Sequence, residues 1–566
     1  MKVSDYIVEF LIEKEVEHVF GYPGGMVTHL MDSFSKYENK ISAHVCYHEQ
    51  AAAFEACAYA QASGKVGAAY ATSGPGATNM ITGICNAYFD SIPVIFITGQ
   101  VNTFESKEGY RVRQRGFQET NIVNMVKDVT KYAVYVEEAN KIAYYLEKAY
   151  QIALDGRKGP VLLDIPMNIQ RTEIDRDKLV HYDYVSGQNV EFKDENILQC
   201  LLEAKRPCIL LGAALKMVPR EKVVEFVEHM GMPVVTSMVA MDLLPTENEF
   251  NYGFIGAYGN RTANFVVAKS DLILVLGSRM DVRQVGGKRS NFAPDATIIR
   301  VDIDENELQY FIREDEINIQ ADVGKVIDYL LMAYPESEKK YAEWNHVCKK
   351  IEQKLIGMDD KIPNYFVKKI SQYVPENVCI TTDVGQNQVW VAQSYKTKDG
   401  QQILYSGGHG AMGYSLPAAI GAYYATKKEV ICFNGDGGVQ MNIQELEFIR
   451  REHLPIKIII FNNYALGMIR HFQEMYFDNN YAQTVQGKGY DSPDFQGIAY
   501  GYGMPYLSYE KIEDVTDQFM AIKGPVIVEI KLHGETYVFP KLEFGKPNQD
   551  QEPLIDRKLF QELMEL

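Results

Sequence analysis

The sequence contains no C-x-x-C pair. Its eight cysteines, Cys46, Cys57, Cys85, Cys200, Cys208, Cys348, Cys379 and Cys432, are scattered, so neither a zinc site nor a redox dithiol is signalled. Cysteines so dispersed in a chain of 566 residues do not make a disulfide framework either. No stretch reaches the roughly 20 apolar residues that a membrane span needs. The opening Met-Lys-Val-Ser-Asp-Tyr has early charge and no uninterrupted apolar run, which excludes a secretory signal peptide. Positive charge is also in deficit: 57 Lys and Arg against 75 Asp and Glu leave a net charge of −18. A chain this acidic repels phosphate backbones and anionic lipid heads. Nucleic acid and membrane surfaces are therefore not expected partners, although a local basic pocket for a small phosphate ligand remains compatible. The expectation is a protein of a reducing compartment, the cytoplasm.

What is present is globular material, 46% apolar and 23% charged, ruling out a disordered or fibrous chain. At about 150 residues per domain the length gives roughly three to four domains. Near-continuous apolar runs at Pro93–Thr98, Cys208–Gly212, Asp271–Gly277 and Lys457–Asn462 read as strands buried on both faces, as in parallel sheets. Helical patterns lie between them, such as Ile7, Phe10 and Leu11 after Ser4, or Ile443, Leu446 and Ile449 before Arg450. This alternation predicts an α/β fold with doubly wound parallel-sheet domains. The apolar rhythm lapses at 171–190 and again at 335–360, where a charged helical connector is the alternative. The resulting division is 1–175, 190–335 and 360–540, with a tail over 541–566 whose Gly545–Pro553 stretch looks extended.

The third region carries the most chemistry. The strand Val430–Phe433 runs into Asn434-Gly435-Asp436-Gly437-Gly438, then a helix expected near Asn442, and the next strand ends in Asn462-Asn463. Asp436 and Asn463 are 27 residues apart, about one strand–helix–strand unit, which brings both to one carboxyl edge of a parallel sheet. A carboxylate, an amide oxygen and a nearby carbonyl suit Mg²⁺. Gly437 and Gly438 let backbone N–H groups approach a diphosphate with a helix N-terminus behind them. Two ordinary strand–helix turns are the bland alternative. Just upstream, Gly408-His-Gly410-Ala-Met412-Gly413 is a literal G-x-G-x-x-G. The strand before it is thin and the nearest acid lies inside the next glycine turn, so a nicotinamide-dinucleotide reading is disfavoured. In the first region, Val19–Gly25 is a strand-to-glycine turn, Glu49 opens a helix, and Thr72–Thr78 is a second turn. A Glu at a helix start is by default a dipole partner. The second turn reads equally as a cradle or a tight loop.

Together these segments resemble the thiamine-diphosphate enzymes, whose signature is G-D-G followed by N-N. Phe20–Gly25, His48–Ala52, Phe117–Glu119, Ser406–Gly421 and Leu466–Met468 resemble, in order, the catalytic subunit of acetohydroxyacid (acetolactate) synthase. The resemblance implies a Mg²⁺ site of Asp436, Asn463 and the carbonyl of Ala465. It implies diphosphate contacts from Gln386, Gly437 and Gly438, with Gly435, Gly467 and Met468 in the same cofactor pocket. Met412 would wedge the cofactor into a bent form, a flexible thioether suiting an irregular gap. The carbonyl of Gly410 would orient the 4-amino group, and Glu49 would donate a proton to a pyrimidine nitrogen. The reaction implied is decarboxylation of pyruvate and transfer of the two-carbon unit to a second carbonyl, with Gln118 and Gly25 lining the acceptor space. The middle region resembles the family's flavin domain through Gly256, Gly277, Arg279, Asp281, Arg283 and Asp302. Arg157 would reach the flavin diphosphate, its planar fork suiting that group, unless these arginines simply pair with Asp281 and Asp302. FAD is thus expected, without net redox. Active sites would lie between subunits of a homodimer or homotetramer.

The resemblance thins on the acceptor side. Phe472, Asn102, Met167 and Val282 stand where the family has Trp, Pro, Lys and Asp. The loop between Val101 and Phe117 is about six residues longer and carries Arg111, Arg113 and Arg115. The tail Phe539–Asn548 also resembles relatives that add a two-carbon unit to a keto-sugar nucleotide for surface polysaccharides. An arginine-bearing loop suits a nucleotide diphosphate, or is simply a solvated surface loop.

Overall fold

The computed structural model describes residues 1–184, 192–335 and 340–566. Residues 185–190 of the first expected boundary and 336–339 of the second lie outside the described residues. Among those described, 18 strands form three six-stranded sheets. The first holds β1 (His18–Gly21), β2 (Ser42–Val45), β3 (Gly67–Ala71), β4 (Val94–Gln100), β5 (Tyr132–Tyr135) and β6 (Val161–Pro166), in the order β2-β1-β3-β4-β6-β5. The second holds β7 (Pro207–Leu211), β8 (Val234–Thr236), β9 (Asn251–Phe254), β10 (Leu272–Leu276), β11 (Thr297–Asp302) and β12 (Ile317–Gln320), in the order β12-β11-β10-β7-β8-β9. The third holds β13 (Cys379–Thr382), β14 (Gln402–Leu404), β15 (Val430–Gly435), β16 (Ile456–Asn462), β17 (Tyr506–Tyr509) and β18 (Val526–Lys531), in the order β14-β13-β15-β16-β18-β17. Every paired strand runs parallel.

The strands obey the logic of two-faced burial. β4, β6, β10 and β16 are buried at every position, as a sheet covered by helices on both sides requires. The edge strand β2 alternates half-buried and exposed residues. The first and third sheets share one permutation: counted from its own first strand, each reads 2-1-3-4-6-5. The middle sheet, counted likewise, reads 3-2-1-4-5-6 from its β9 edge, the dinucleotide-fold order.

The first and third domains meet through the helices Glu49–Ser63 and Ser415–Thr426, in one continuous apolar core. Gly421 makes that approach possible, since a Cβ there would stand 2.1 Å from the carbonyl oxygen of Glu55. The stretch 342–355 is a helix, as the connector alternative held. The tail is more ordered than an extended strand of prolines. Gln551 is fully buried, its amide turned to the carbonyl of Gly259 at 3.1 Å, and Arg261 donates to the carbonyls of Gln551 and Pro553. A final helix, Arg557–Glu565, packs on Phe265 and Ile351. The tail is therefore fastened to the middle domain by polar bonds to backbone, which an apolar pattern does not register. No helix among the described residues is long and apolar enough to cross a membrane.

Candidate active site

In open parallel sheets, ligands bind at the carboxyl edge where the strand order reverses. In the third sheet that point lies between β13 and β15. β15 ends at Gly435 and a short helix begins at once, Asp436–Val439, followed by a 3-10 turn and the helix Glu445–Arg451. The helix expected near Asn442 thus starts six residues earlier. Gln440 steadies this first turn by donating to the carbonyl of Asp436 at 3.0 Å.

Asp436 is 3% exposed, and its Oδ2 has no hydrogen-bond partner. Burial pushes its carboxyl up to about 7, against the Tyr490 hydroxyl and the N–H groups of Gly437 and Ala465 that face it. A buried carboxylate oxygen left without a partner is costly and fits a cation that would complete it. Asn463 donates from Nδ2 to Oε1 of Gln386 at 2.8 Å, which leaves the oxygen of Asn463 free for the same purpose. The Nε2 of Gln386 is buried and unpartnered, a donor suited to a phosphate oxygen. Gly467 admits this pair: a Cβ there would lie 2.0 Å from Oε1 of Gln386. The cradle floor is equally tight. A Cβ on Gly437 would stand 2.7 Å from Leu466 and 3.5 Å from Cε of Met412, and one on Gly438 would stand 2.7 Å from Oδ2 of Asp383. Met412 therefore lies beside the glycine turn. Gly410 sits in the left-handed region at φ 68° and is open to solvent.

Two residues of this site escaped the sequence reading. Asp383, at the end of β13, is fully buried and pushed up to about 7 by desolvation. Both its oxygens accept from the N–H of Gly413 at 3.0 Å, so it anchors the loop that carries Met412. Its signal was available, an acid at a strand end before Gly385-Gln386. Tyr490 brings its hydroxyl within 3.3 Å of a Cβ position on Gly437 and close to Asp436; it lies in a loop with no local pattern. Met468 is part-buried and packs against the core of the third domain.

The first sheet has the matching switch point, between β1 and β3. There the Thr72–Thr78 turn acts as a hub. The hydroxyl of Thr72 accepts from the N–H of Met26 at 3.2 Å, beside Gly25. A Cβ on Gly74 would lie 2.8 Å from Cβ of Gln118, and one on Gly76 would lie 3.1 Å from Oε1 of Glu49. Gln118 holds a left-handed φ of 64°. Glu49 is 8% exposed, on the first residue of its helix, and its Oε2 accepts from Asn79 at 2.9 Å. His48 caps that helix, accepting from Gln50 N–H at 3.1 Å. Glu49, Gln118 and Gly25 therefore lie at one edge, where Glu49 both opens its helix and accepts from Asn79.

The middle sheet reverses between β7 and β10, and a cavity of about 470 Å³ opens at that point. Arg157, Gly277, Arg279, Asp281, Arg283 and Asp302 line it. Gly256 stands behind the wall, at φ 112°, with Ala257 N–H on the carbonyl of Arg283. The alternative pairing of arginines with acids holds in a different form from the one expected. Arg157 contacts Asp304 at 3.0 Å and Glu307 at 2.5 Å, not Asp302, and Arg279 reaches Asp281 only at 3.7 Å. Burial raises Asp302 above its ordinary carboxylate range. The G-x-G-x-x-G segment is no dinucleotide turn, since Gly408 donates to Asp90 at 2.6 Å and its helix begins only at Ser415.

Three domain families match along the chain: the thiamine pyrophosphate enzyme N-terminal TPP binding domain over residues 1–125, the central domain over 195–330 and the C-terminal TPP binding domain over 383–530. The acetolactate synthase large subunit of Lactococcus lactis is 34% identical over 560 residues, covering 96% of this chain and 94% of that protein. The acetolactate synthase isozyme 2 large subunit of Escherichia coli is 32% identical over 566 residues, covering 97% and 99%. The probable acetolactate synthase large subunit of Methanocaldococcus jannaschii is 34% identical over 556 residues, covering 94% and 92%.

Proposed function

The chain belongs to the thiamine pyrophosphate enzyme family, and within it we propose a carboligase that decarboxylates pyruvate and transfers the two-carbon unit to a second carbonyl compound, in the manner of acetolactate synthase. The observation that carries this reading is Asp436, a buried carboxylate with an orphaned oxygen under a glycine turn, overhung by Met412. Its supports are the relatives' names and the acid edge built around Glu49.

Asp436, Asn463 and the Ala465 carbonyl would hold Mg²⁺, which neutralises the diphosphate. Bound thiamine diphosphate supplies a carbon nucleophile and a sink for the electron pair released with CO₂. The chain's own residues do the rest. Gln386 and the N–H groups of Gly437 and Gly438 would bind phosphate oxygens, and Met412 would pack against the cofactor's rings. The Gly410 carbonyl would accept from the amino group, and Glu49 would exchange a proton with a ring nitrogen. Gln118 and Gly25 shape the acceptor side. In the homodimer or homotetramer that the reading implies, Glu49 would work with the cradle of a second copy. The middle cavity, at a dinucleotide-type switch point and lined by several arginines, would hold FAD.

The test incubates the protein with thiamine diphosphate, Mg²⁺ and pyruvate. CO₂ release with a carboligation product is expected. Glu49→Gln is expected to keep cofactor binding and lose turnover. Undiminished turnover in that variant would refute the role given to Glu49.

A further inference from the structure

Glu445 is fully buried and has no part in the mechanism above. It opens the helix Glu445–Arg451 of the third domain, yet its hydrogen-bond partner is in the first. Between β2 and the helix that Glu49 opens lie Cys46, Tyr47 and His48. The backbone N–H groups of such a link need acceptors. That of Cys46 reaches the carbonyl of Gly21 on the neighbouring strand at 3.0 Å. That of Tyr47 donates across the domain seam to Oε1 of Glu445 at 2.8 Å, and the N–H of His48 faces the same carboxyl.

Two more residues of the third domain close on this segment. Arg451 donates to the carbonyl of Val45 at 3.1 Å and to the hydroxyl of Tyr47 at 3.2 Å. Asn442 donates to Oε1 of Gln50 at 3.1 Å and to the carbonyl of Gly413 at 2.8 Å. The segment is therefore gripped from the third domain on both sides of Glu49.

Glu445 does this as a neutral acid. Burial pushes it up to about 8, against the N–H groups of Tyr47 and His48 and the charge of Arg451. Glu55, on the same helix as Glu49, is fully buried too; burial and the charge of Glu445 hold it well above the usual carboxylate range. Oε2 of Glu445 and Oε1 of Glu55 both lack a partner. Two acids buried within reach of each other's charge do not both ionise, so a Gln at 445 reproduces the shape and charge of the protonated side chain.

We propose that Glu445 is the positioning residue for Glu49: it holds the Tyr47 and His48 backbone and, with Asn442 and Arg451, sets the place from which Glu49 exchanges its proton. The proposal rests on the reading of Glu49 given above, not on the identity of either substrate. Proton transfer is steep in distance, so a slack segment leaves the cofactor bound and the carboxyl misplaced.

The experiment uses the full-length protein and its variants E445A, E445Q and E49Q. Without cofactor, amide deuterium exchange at Tyr47 and His48 is expected to quicken about tenfold or more in E445A, and to stay near the parent rate in E445Q, which keeps an acceptor oxygen. With thiamine diphosphate and Mg²⁺ bound, deuterium exchange at the cofactor's acidic ring C–H is read by proton NMR after acid quench. It is expected to slow about tenfold or more in E445A and to return to within about threefold of the parent in E445Q, with the cofactor dissociation constant within about threefold throughout. The proposal is overturned if either exchange is unchanged in E445A, or if E445Q behaves as E445A does. It is also overturned if C–H exchange and cofactor affinity fall together, which would make Glu445 a residue of the seam alone. Should E445A not fold, R451A carries the same readings with an expected change of about threefold, and no change in it overturns the grip. E49Q is expected to slow the C–H exchange at least as much as E445A. If it does not, the reading of Glu49 fails and the proposal with it; if E49Q slows it and E445A does not, the proposal alone fails. CO₂ release from pyruvate is measured separately, and its absence beside the expected exchange rates removes the substrate, not the positioning.

Discussion

The first and third sheets have the same strand order and open their crevice at the same switch point, yet their edges are furnished in opposite ways. In the third, buried carboxylates do the positioning: Asp436 faces the turn, and Asp383 ties down the loop of Met412. In the first, neutral groups do it. Thr72, Gly74 and Gly76 gather Gly25, Gln118 and a single acid, Glu49. On the reading proposed above, one topology would supply both a place to dock something anionic through a metal and a place to present a proton. The fold fixes where the crevice is; the side chains at the strand ends decide what it does.

The sharpest way to break this comparison is to remove the acid from each edge. Asp436→Ala is expected to abolish binding of thiamine diphosphate with Mg²⁺, on the order of a hundredfold or more in dissociation constant, because the cation loses its only anionic protein ligand. Glu49→Gln is expected to leave that constant within about threefold while turnover falls by two orders of magnitude or more. Calorimetry on both variants checks the split. If the two lose cofactor binding alike, the edges share one role.

A finer cut uses the glycines. Gly438→Ala would drive a methyl to 2.7 Å from the Asp383 carboxylate, and Gly76→Ala would drive one to 2.8 Å from Thr72 and 3.1 Å from Glu49. The first change is expected to weaken cofactor binding about tenfold. The second is expected to lower turnover by a similar factor with binding preserved, since the side chains it crowds, Thr72 and Glu49, lie at the first edge and not in the diphosphate cradle. Steady-state kinetics beside titrations separates them.

The seam between the two domains gives a purely structural test. Gly421→Ala places a Cβ 2.1 Å from the backbone carbonyl of Glu55, which no side-chain rotation relieves. A loss of about 1–3 kcal/mol is expected, read as a lower melting temperature with both domains affected together. A single-domain effect would mean that the seam is loose.

Much of the third edge was legible because its logic is local. The 27-residue spacing of Asp436 and Asn463 is one strand–helix–strand step, and the glycine turn announces itself. The α/β class was legible for the same reason, through continuous apolar runs at β4 and β16. The shared strand order was not, because pairing partners lie far apart in sequence and leave no periodic trace. Asp383 was missed for a related reason: it acts on Gly413, 30 residues on. Arg157 was expected at a flavin diphosphate, and it lines the middle cavity, yet its partners Asp304 and Glu307, 147 and 150 residues away, were not foreseen. The docked tail was misjudged because Gln551 and Asn548 are bound by amide contacts to carbonyls such as those of Gly259 and Gln284, which hydropathy does not see.

The smallest expected effect concerns the one acid the first sheet buries away from its crevice. Asp164 on β6 is 1% exposed, accepting from Thr98 at 2.7 Å and Gln100 at 3.0 Å. Burial nonetheless pushes it up to about 7. A carboxyl whose folded pKa exceeds its unfolded value of about 3.9 binds more protons when folded. Its contribution therefore falls as pH rises from about 4 to about 7 and is level beyond. Asp164→Asn mimics the protonated acid and is expected to remove this slope. At pH 8 the variant's melting temperature is then expected to match or exceed that of the parent, with the gain gone by pH 5. A parent curve without that slope would mean that Thr98 and Gln100 hold the ionised form, and that the first sheet tolerates buried charge as the third does.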